Sequence, residues 1–506
     1  MEIPRLLASF RIKNFNNYCD QKILPSSSKF PWWVLIYLGL STMFIYVVFS
    51  HWAYDDPFIT YRYAYNLAHG LGFVYNPSER ILSTTTPLFT LLLVPFSLLN
   101  FDLSRVAVFF GAISISSGGL LLWYLASSWK PALVGWAGIA LYTTFPLLYA
   151  TLGSETPIYI TFCLGSFMFY ARQRYNWTAV FCSLATLTRP DGILVPLILA
   201  IDFLLRDRQS IPWKPVLLFL GLTLPWFIFA WLYFGSPIPV TLIAKQHQGG
   251  MSISLPFARG FLYWARGYAQ QWFYWVEATL AFLGFVYLLW REHQWMPLIS
   301  WTICYFIAYS ILGVSRYHWY YAPLLPGYVI LVGIGGYAIS ANLSFVRKLS
   351  LVDNHSGDIV LTVSVIAAIL VFSIGQGSSL LKLRNLPDKR VSIYKDIGTW
   401  LTENTPPNAL VGALEVGIIG YYSHRPMLDF AGLIQPDIAQ QLKFNTTYDD
   451  VALWAVENKR PDYLVLHSGG FPKVEQSYVA QYCHLVKRFP KEPYGYSSDM
   501  DMYACK

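Results

Sequence analysis

Charge is scarce in this sequence. Only 13% of its 506 residues are Asp, Glu, Lys or Arg, against 55% hydrophobic residues, where a soluble protein carries roughly 25% charged residues. A chain this long cannot clothe a water-facing surface with so few charges, which excludes a soluble globular enzyme. Disorder, a collagen-like chain and nucleic-acid binding through a basic surface fall on the same grounds. Cysteine is also sparse, at six residues, with no CxxC and no His/Cys cluster of metal-ligand spacing. The sequence shows no internal repeat and no low-complexity stretch.

The charges present are unevenly placed. Residues 377–506 hold 14 Lys/Arg and 14 Asp/Glu, whereas residues 1–376 hold 22 and 14. This predicts a membrane domain over 1–376 and a soluble domain over 377–506, the latter mixed α/β. Within the tail, Val391–Glu403 has helical spacing, and Ala409–Leu414, Met427–Phe430 and Tyr463–His467 read as short strands. Apolar runs of spanning length fall at 32–50, 85–100, 106–127, 156–171, 177–188, 191–205, 213–234, 276–290, 295–313, 319–340 and 358–376. Segment 131–153 is apolar but interrupted by Pro146, so two short crossings or a re-entrant pair both fit. The fold class is therefore an α-helical polytopic membrane protein of 11–13 crossings with an α/β tail. The first apolar run starts at Pro31 and is about 20 residues long, which reads as a spanning helix rather than a cleaved leader.

Loop charge orients the chain. Arg5, Arg11, Lys13, Lys22 and Lys29 place the N-terminus in the cytoplasm. Counting crossings then puts Arg105, Arg172, Arg174, Arg206, Arg208, Lys214, Arg347 and Lys348 inside, if 131–153 begins and ends outside. An odd number of crossings puts the tail outside. The aromatic stretch Leu255–Phe273, with Arg259 and Arg266, reads as an interfacial amphipathic helix.

The most informative stretch follows the first span, from Tyr54-Asp55-Asp56-Pro57 to Gly70. Asp56 before Pro57 fits an N-cap with proline at the first helical position. Gly70 fits the C-terminal end. The helix between them is predicted to lie on the outer membrane surface. Two adjacent carboxylates at a membrane boundary are costly unless solvated or used. With Asp56 serving as cap, Asp55 is the residue left for general-base chemistry.

The run Asp55–Ala64, continued by Gly70–Pro77 and Thr86-Pro87-Leu88, resembles the first outer loop of GT-C glycosyltransferases, bacterial terminal arabinofuranosyltransferase-like enzymes in particular. Gly153-Ser154-Glu155-Thr156-Pro157, Thr188-Arg189-Pro190-Asp191-Gly192, Phe234–Pro239 with Lys245, Trp319–Pro323 and the tail segment Ile397–Asp437 extend the resemblance. The sequence departs from it at Ser78-Glu79, where the family often has Gly-Glu. The resemblance implies an enzyme of a bacterial or archaeal cell envelope. It would move a sugar from a polyprenyl-phosphate carrier to a carbohydrate-bearing acceptor on the extracytoplasmic side, with an aspartate of the first loop as base.

That reading makes Asp55, Asp56 and Glu155 the catalytic candidates. Arg189, Lys245, Arg316 and His318 are candidates for the donor phosphate, since arginine pairs its donors with phosphate oxygens. Arg62, Tyr320 and Tyr321 are candidates for the cavity wall. Each has a plainer role open to it: Glu155 complements a helix N-terminus, Arg189 pairs with Asp191 across a turn, and Arg62 meets lipid headgroups. No organic cofactor is expected, and a divalent metal stays open because Asp55, Asp56 and Glu155 are hard oxygen ligands. A transporter and a non-enzymatic assembly protein are the competing functions. Cys483 and Cys505 are expected to pair, because an outer tail meets an oxidising compartment.

Overall fold

The protein is described by a computed structural model covering residues 32–129, 132–206, 212–342 and 354–506. The basic residues expected to orient the N-terminus, and Arg208, Arg347 and Lys348, lie outside the described residues. Among the described residues, seven helices are long and apolar enough to cross a membrane: Trp32–Phe49, Leu103–Trp129, Trp213–Phe234, Trp272–Trp290, His293–Leu312, His318–Ala341 and Val363–Arg384. Four other expected spans are helices of 12 to 16 residues: Pro87–Leu98, Thr156–Ala171, Tyr175–Thr188 and Leu194–Arg206. The expected interfacial helix forms as Phe257–Tyr268.

Two expectations about the passages change. Helix Pro87–Leu98 is about 18 Å long at 1.5 Å per residue, short of the roughly 30 Å hydrocarbon layer. Its exit, at Asp102 and Arg105, lies within electrostatic reach of Tyr421 and Tyr422 of the tail. The helix therefore returns to the side it came from, and Arg105 sits on the tail side rather than opposite it. Residues 132–153, by contrast, make a single passage. Trp129 before it meets Gln294 and Trp295, in the turn between Trp272–Trp290 and Met296–Leu312. Ala150 near its end meets Trp52 and His318 on the tail side. The passage loosens into a π-helical turn at Gly138–Tyr142 and restarts at Pro146. The two changes cancel, leaving the first loop and the tail on one face.

Helix Asn354–Arg384 runs without a break toward the tail, where helix Arg390–Asn404 precedes a five-stranded sheet. The strands are β1 Val411–Ala413, β2 Met427–Asp429, β3 Tyr463–His467, β4 Cys483–Phe489 and β5 Met500–Cys505, in the order β2-β1-β3-β5-β4. β1 pairs in parallel with β2 and β3, and β5 pairs antiparallel with β3 and β4. Cys483 faces Cys505 across the last pair, and the two form a disulfide.

Apolar packing joins the two parts. One buried cluster fills the membrane bundle, and a second runs from Ala53 through Phe58, Tyr61 and Tyr75 into Ile393, Ile419, Met427 and Leu464. Helix Pro57–Ala68 belongs to this second cluster. It does not lie on the lipid surface as expected: it is buried on most sides, including Phe58, Arg62, Tyr63 and Asn66. Its apolar and aromatic residues are buried beneath the tail.

Candidate active site

A cavity of about 410 Å³ opens on the tail side of the bundle. Its wall includes Asp56, Glu155, Arg189, Asp191, Lys245, Tyr309, Trp319 and Tyr320, with the hydroxyls of Thr60, Thr84 and Thr86. Asp56, Glu155 and Arg189 are each delivered by a chain break that sequence chemistry explains. Asp56 stands just before Pro57, where proline starts a helix without needing its missing N–H. Glu155 follows Gly153, whose φ of +91° is open to glycine, and precedes helix Thr156–Ala171. Arg189 is extended between helix Tyr175–Thr188 and the 3-10 turn Pro190–Ile193. That turn folds tightly onto the preceding helix, where a Cβ on Gly192 would lie 2.5 Å from the Ala185 backbone.

Lys245 sits on helix Val240–Gly250, which is fastened on three sides. Val240 N–H donates to Leu82 O and Thr241 Oγ1 to Ser83 O. Ser315 N–H donates to Lys245 O. Gln248 Nε2 donates to Ala431 O of the tail.

Two ion-pair groups face each other. Lys245 Nζ is 2.7 Å from Asp56 Oδ2. Its ammonium lies 4.9 Å from the Trp319 ring centre, 5.0 Å from Tyr317 and 5.7 Å from Tyr320, which adds cation–π attraction. Burial alone would lower the Lys245 pKa, but Asp56 and Tyr320 outweigh it and raise it. Across the cavity, Arg189 Nη2 lies 2.8 Å from Asp191 Oδ2 and 2.7 Å from Tyr309 Oη, and Nη1 lies 3.5 Å from Glu155 Oε1. Burial raises the Glu155 pKa against the opposing pull of Arg189. Tyr320 stands between the groups, with Arg189 5.6 Å from its ring centre.

The surroundings expected of the two aspartates are exchanged. Asp56 makes no side-chain cap bond to its helix; its carboxylate enters the cavity instead. Asp55 is the capping residue, but of a helix in the tail. Its Oδ2 accepts from Gly417 N–H at 3.1 Å and its Oδ1 from Ile418 N–H at 2.8 Å, at the start of helix Gly417–Ser423. A Cβ at Gly417 would lie 2.0 Å from Asp55 O, so only glycine fits there. Burial pushes the Asp55 carboxyl up to about 7, against the Ile418 hydrogen bond.

Other candidates also stand away from the cavity. Arg62 is buried and grips the far end of the same tail helix: Nη1 bonds Gly420 O and Nη2 donates to Arg425 O at 2.7 Å, while Nε donates to Tyr75 O at 2.9 Å. Arg316 stacks on Tyr263 at 4.1 Å. His318 Nε2 meets Ala150 O at 3.0 Å. Tyr321 stacks on Phe257, and its hydroxyl donates to Phe257 O. None of these four lines the cavity. Among the cavity residues that escaped sequence reading as site candidates are Tyr309 and Asp191. Tyr309 lies within an apolar helix and gives no local signal. Asp191 was legible only as a turn partner of Arg189. Among the described residues, no group of three His, Cys, Asp or Glu side chains converges to hold a metal.

The architecture and this cavity define a polytopic membrane protein of GT-C fold, on which comparison with solved structures agrees. ArnT from Cupriavidus metallidurans is similar both in its apo state and bound to undecaprenyl phosphate. The identities are 16% and 15% and the TM-scores 0.61 and 0.59, over 94% of this chain and 98% of that one. The Archaeoglobus fulgidus oligosaccharyltransferase in its apo form is similar at 15% identity and TM-score 0.53, over 94% of this chain and 74% of that one. The arabinofuranosyltransferase AftD from Mycobacteria is similar at 15% and 0.53, over 95% of this chain and 40% of that one. Residues 384–503 match the model of a domain of unknown function, DUF8728. No curated protein sequence matches.

Proposed function

We propose that this protein is an integral-membrane glycosyltransferase. It takes a sugar from a polyprenyl-phosphate carrier and transfers it to a hydroxyl-bearing acceptor on the extracytoplasmic side of a bacterial or archaeal membrane. The observation that carries the reading is one cavity, on the tail side of the bundle, in which Asp56–Lys245 faces Glu155–Arg189–Asp191. A transporter would instead gather such charges near the bilayer midplane. The similarity to ArnT bound to undecaprenyl phosphate supports a polyprenyl-phosphate donor.

In this reading Asp56 is the base. The acceptor oxygen forms a bond to the anomeric carbon as its proton passes to Asp56. The bond from that carbon to the phosphate oxygen breaks, and the polyprenyl phosphate leaves with the electron pair. Lys245 and Arg189 hold the phosphate. Lys245 shifts from Asp56 toward the arriving anion, which frees the carboxylate for the acceptor proton. Glu155 and Asp191 keep Arg189 aimed into the cavity.

The test uses the purified chain in lipid nanodiscs, supplied with polyprenyl-phosphate-linked sugars. Release of free polyprenyl phosphate, lost in Asp56→Asn, supports the reading. Intact lipid-linked sugar with every donor tried overturns it.

A further inference from the structure

Another cavity, of about 490 Å³, is walled by the two segments 173–177 and 212–215. The first segment holds the turn between helices Thr156–Ala171 and Tyr175–Thr188, and the second opens helix Trp213–Phe234. Helices Tyr175–Thr188 and Trp213–Phe234 pack against each other, and both run from here to the catalytic cavity. The former ends at Arg189, and the latter carries Phe227 in the catalytic cavity wall. This other cavity therefore opens on the face of the bundle away from the tail.

Its two cations, Arg174 and Lys214, are exposed. Among the described residues, neither side chain has an ion pair, a hydrogen bond or an aromatic ring beneath it. Their neighbours on this face are engaged. Arg172 donates to Ser128 Oγ and lies over the Tyr124 ring, and Arg206 pairs with Asp202. Arg174 and Lys214 thus keep their donors for an anion, and phosphate oxygens suit both. Trp177 and Trp213 share the wall and are 56% and 63% exposed. Tryptophan gathers at the headgroup level of membranes, where its ring meets acyl chains and its N–H meets polar groups. Depth agrees. The helices of 16 and 14 residues that flank the turn are about 24 and 21 Å long at 1.5 Å per residue, less than the roughly 30 Å hydrocarbon layer. Counted from the catalytic cavity, the turn reaches no further than the headgroups of the opposite leaflet.

We infer that this cavity is a binding site for an anionic phospholipid, whose phosphate is held by Arg174 and Lys214 and whose acyl chains lie beside Trp177 and Trp213. Basic pockets between membrane helices suit such headgroups. The inference does not draw on the glycosyltransferase reading.

Native mass spectrometry of the full chain, released from detergent in the presence of phosphatidylglycerol or of phosphatidylcholine with the same acyl chains, tests it. One phosphatidylglycerol per chain is expected to bind about tenfold or more tighter than phosphatidylcholine. Its apparent Kd should rise about fivefold in Arg174→Gln and in Lys214→Gln, and about thirtyfold in the double variant. Arg291→Gln removes a charge from the same face outside the cavity and should leave the Kd unchanged. Melting midpoints in phosphatidylcholine nanodiscs check folding; both pocket side chains are exposed, and if one variant melts low the other decides. Equal retention of the two lipids, an unchanged Kd in both pocket variants, or the same rise in Arg291→Gln overturns the site. Displacement of phosphatidylglycerol by an equal concentration of glycerol 1-phosphate overturns the lipid as occupant and gives the cavity to a soluble phosphate ester.

Discussion

Asp55 and Asp56 are adjacent and chemically identical, yet the structure gives them opposite surroundings. Asp56 faces a cation in an open cavity, and Asp55 faces two backbone N–H groups in the protein interior. Asp56→Asn should leave the fold intact, because the side chain caps nothing and an amide oxygen still accepts from Lys245 Nζ, and should lower transfer by on the order of 10²–10⁴ if it is the base. Asp55→Asn should act chiefly on stability. An amide presents only one acceptor oxygen, so one of the Gly417 and Ile418 donors loses its partner, a buried loss of about 1–3 kcal/mol. Melting curves and turnover measured on both variants check the division: equal melting but lost turnover for Asp56→Asn, lowered melting for Asp55→Asn. Arg189→Lys keeps the charge but cannot reach Glu155, Asp191 and Tyr309 together. Weakened donor binding at normal expression is the expected result, read by lipid-binding titration. Sequence chemistry marked both aspartates as unusual. It could not rank them, because Pro57 makes Asp56 look like a cap while the true cap partner of Asp55 lies 362 residues away.

At the scale of elements, the seven-residue helix Gly417–Ser423 is held at both ends by the first loop. Asp55 meets its N–H end and Arg62 its C=O end, the signs that complement a helix dipole. Tyr75 Oη donates to Val416 O, and Asn76 exchanges two bonds with Met427. This docking should depend on pH. With its folded pKa raised to about 7 from an ordinary 3.8, Asp55 keeps its proton in the folded state while the unfolded chain releases it. Its contribution is full below pH 3.8, falls as pH rises through the window to about 7, and levels off above it. Asp429, also pushed up to about 7 by burial, adds the same sign. The melting midpoint should therefore fall between pH 5 and pH 8, and Asp55→Asn should flatten part of that slope; a midpoint rising over this range would contradict it. Helix Pro87–Leu98 shows why apolar runs mislead. One face packs on Pro57–Ala68 and Tyr175–Thr188 while Leu91, Leu92 and Leu98 stay exposed, so it is apolar on more than one face yet too short to cross. Strands β4 and β5 escaped for the converse reason: β4 carries Lys487 and Arg488 on a largely exposed edge, which blurs alternation.

For the whole molecule, hydropathy and proline positions made most of the helices legible, and charge density marked out the tail. What stayed hidden was long-range: which loop residue meets which tail residue. The geometry puts the tail and the first loop on one face, and loop charge predicts that this face is the outer one. Protease added to intact spheroplasts should then remove the tail. A tail protected under conditions that cleave an N-terminal tag would reverse the orientation. Thiol labelling of unreduced protein should leave Cys483 and Cys505 unmodified, as their disulfide requires. The grip of Asp55 and Arg62 on the tail helix also bears on biosynthesis. The loop emerges from the ribosome 362 residues before its partner. Neither Asp55 nor Arg62 has its final environment until that helix has been made. A chain arrested before Gly417 would leave Asp55 and Arg62 without the helix they hold.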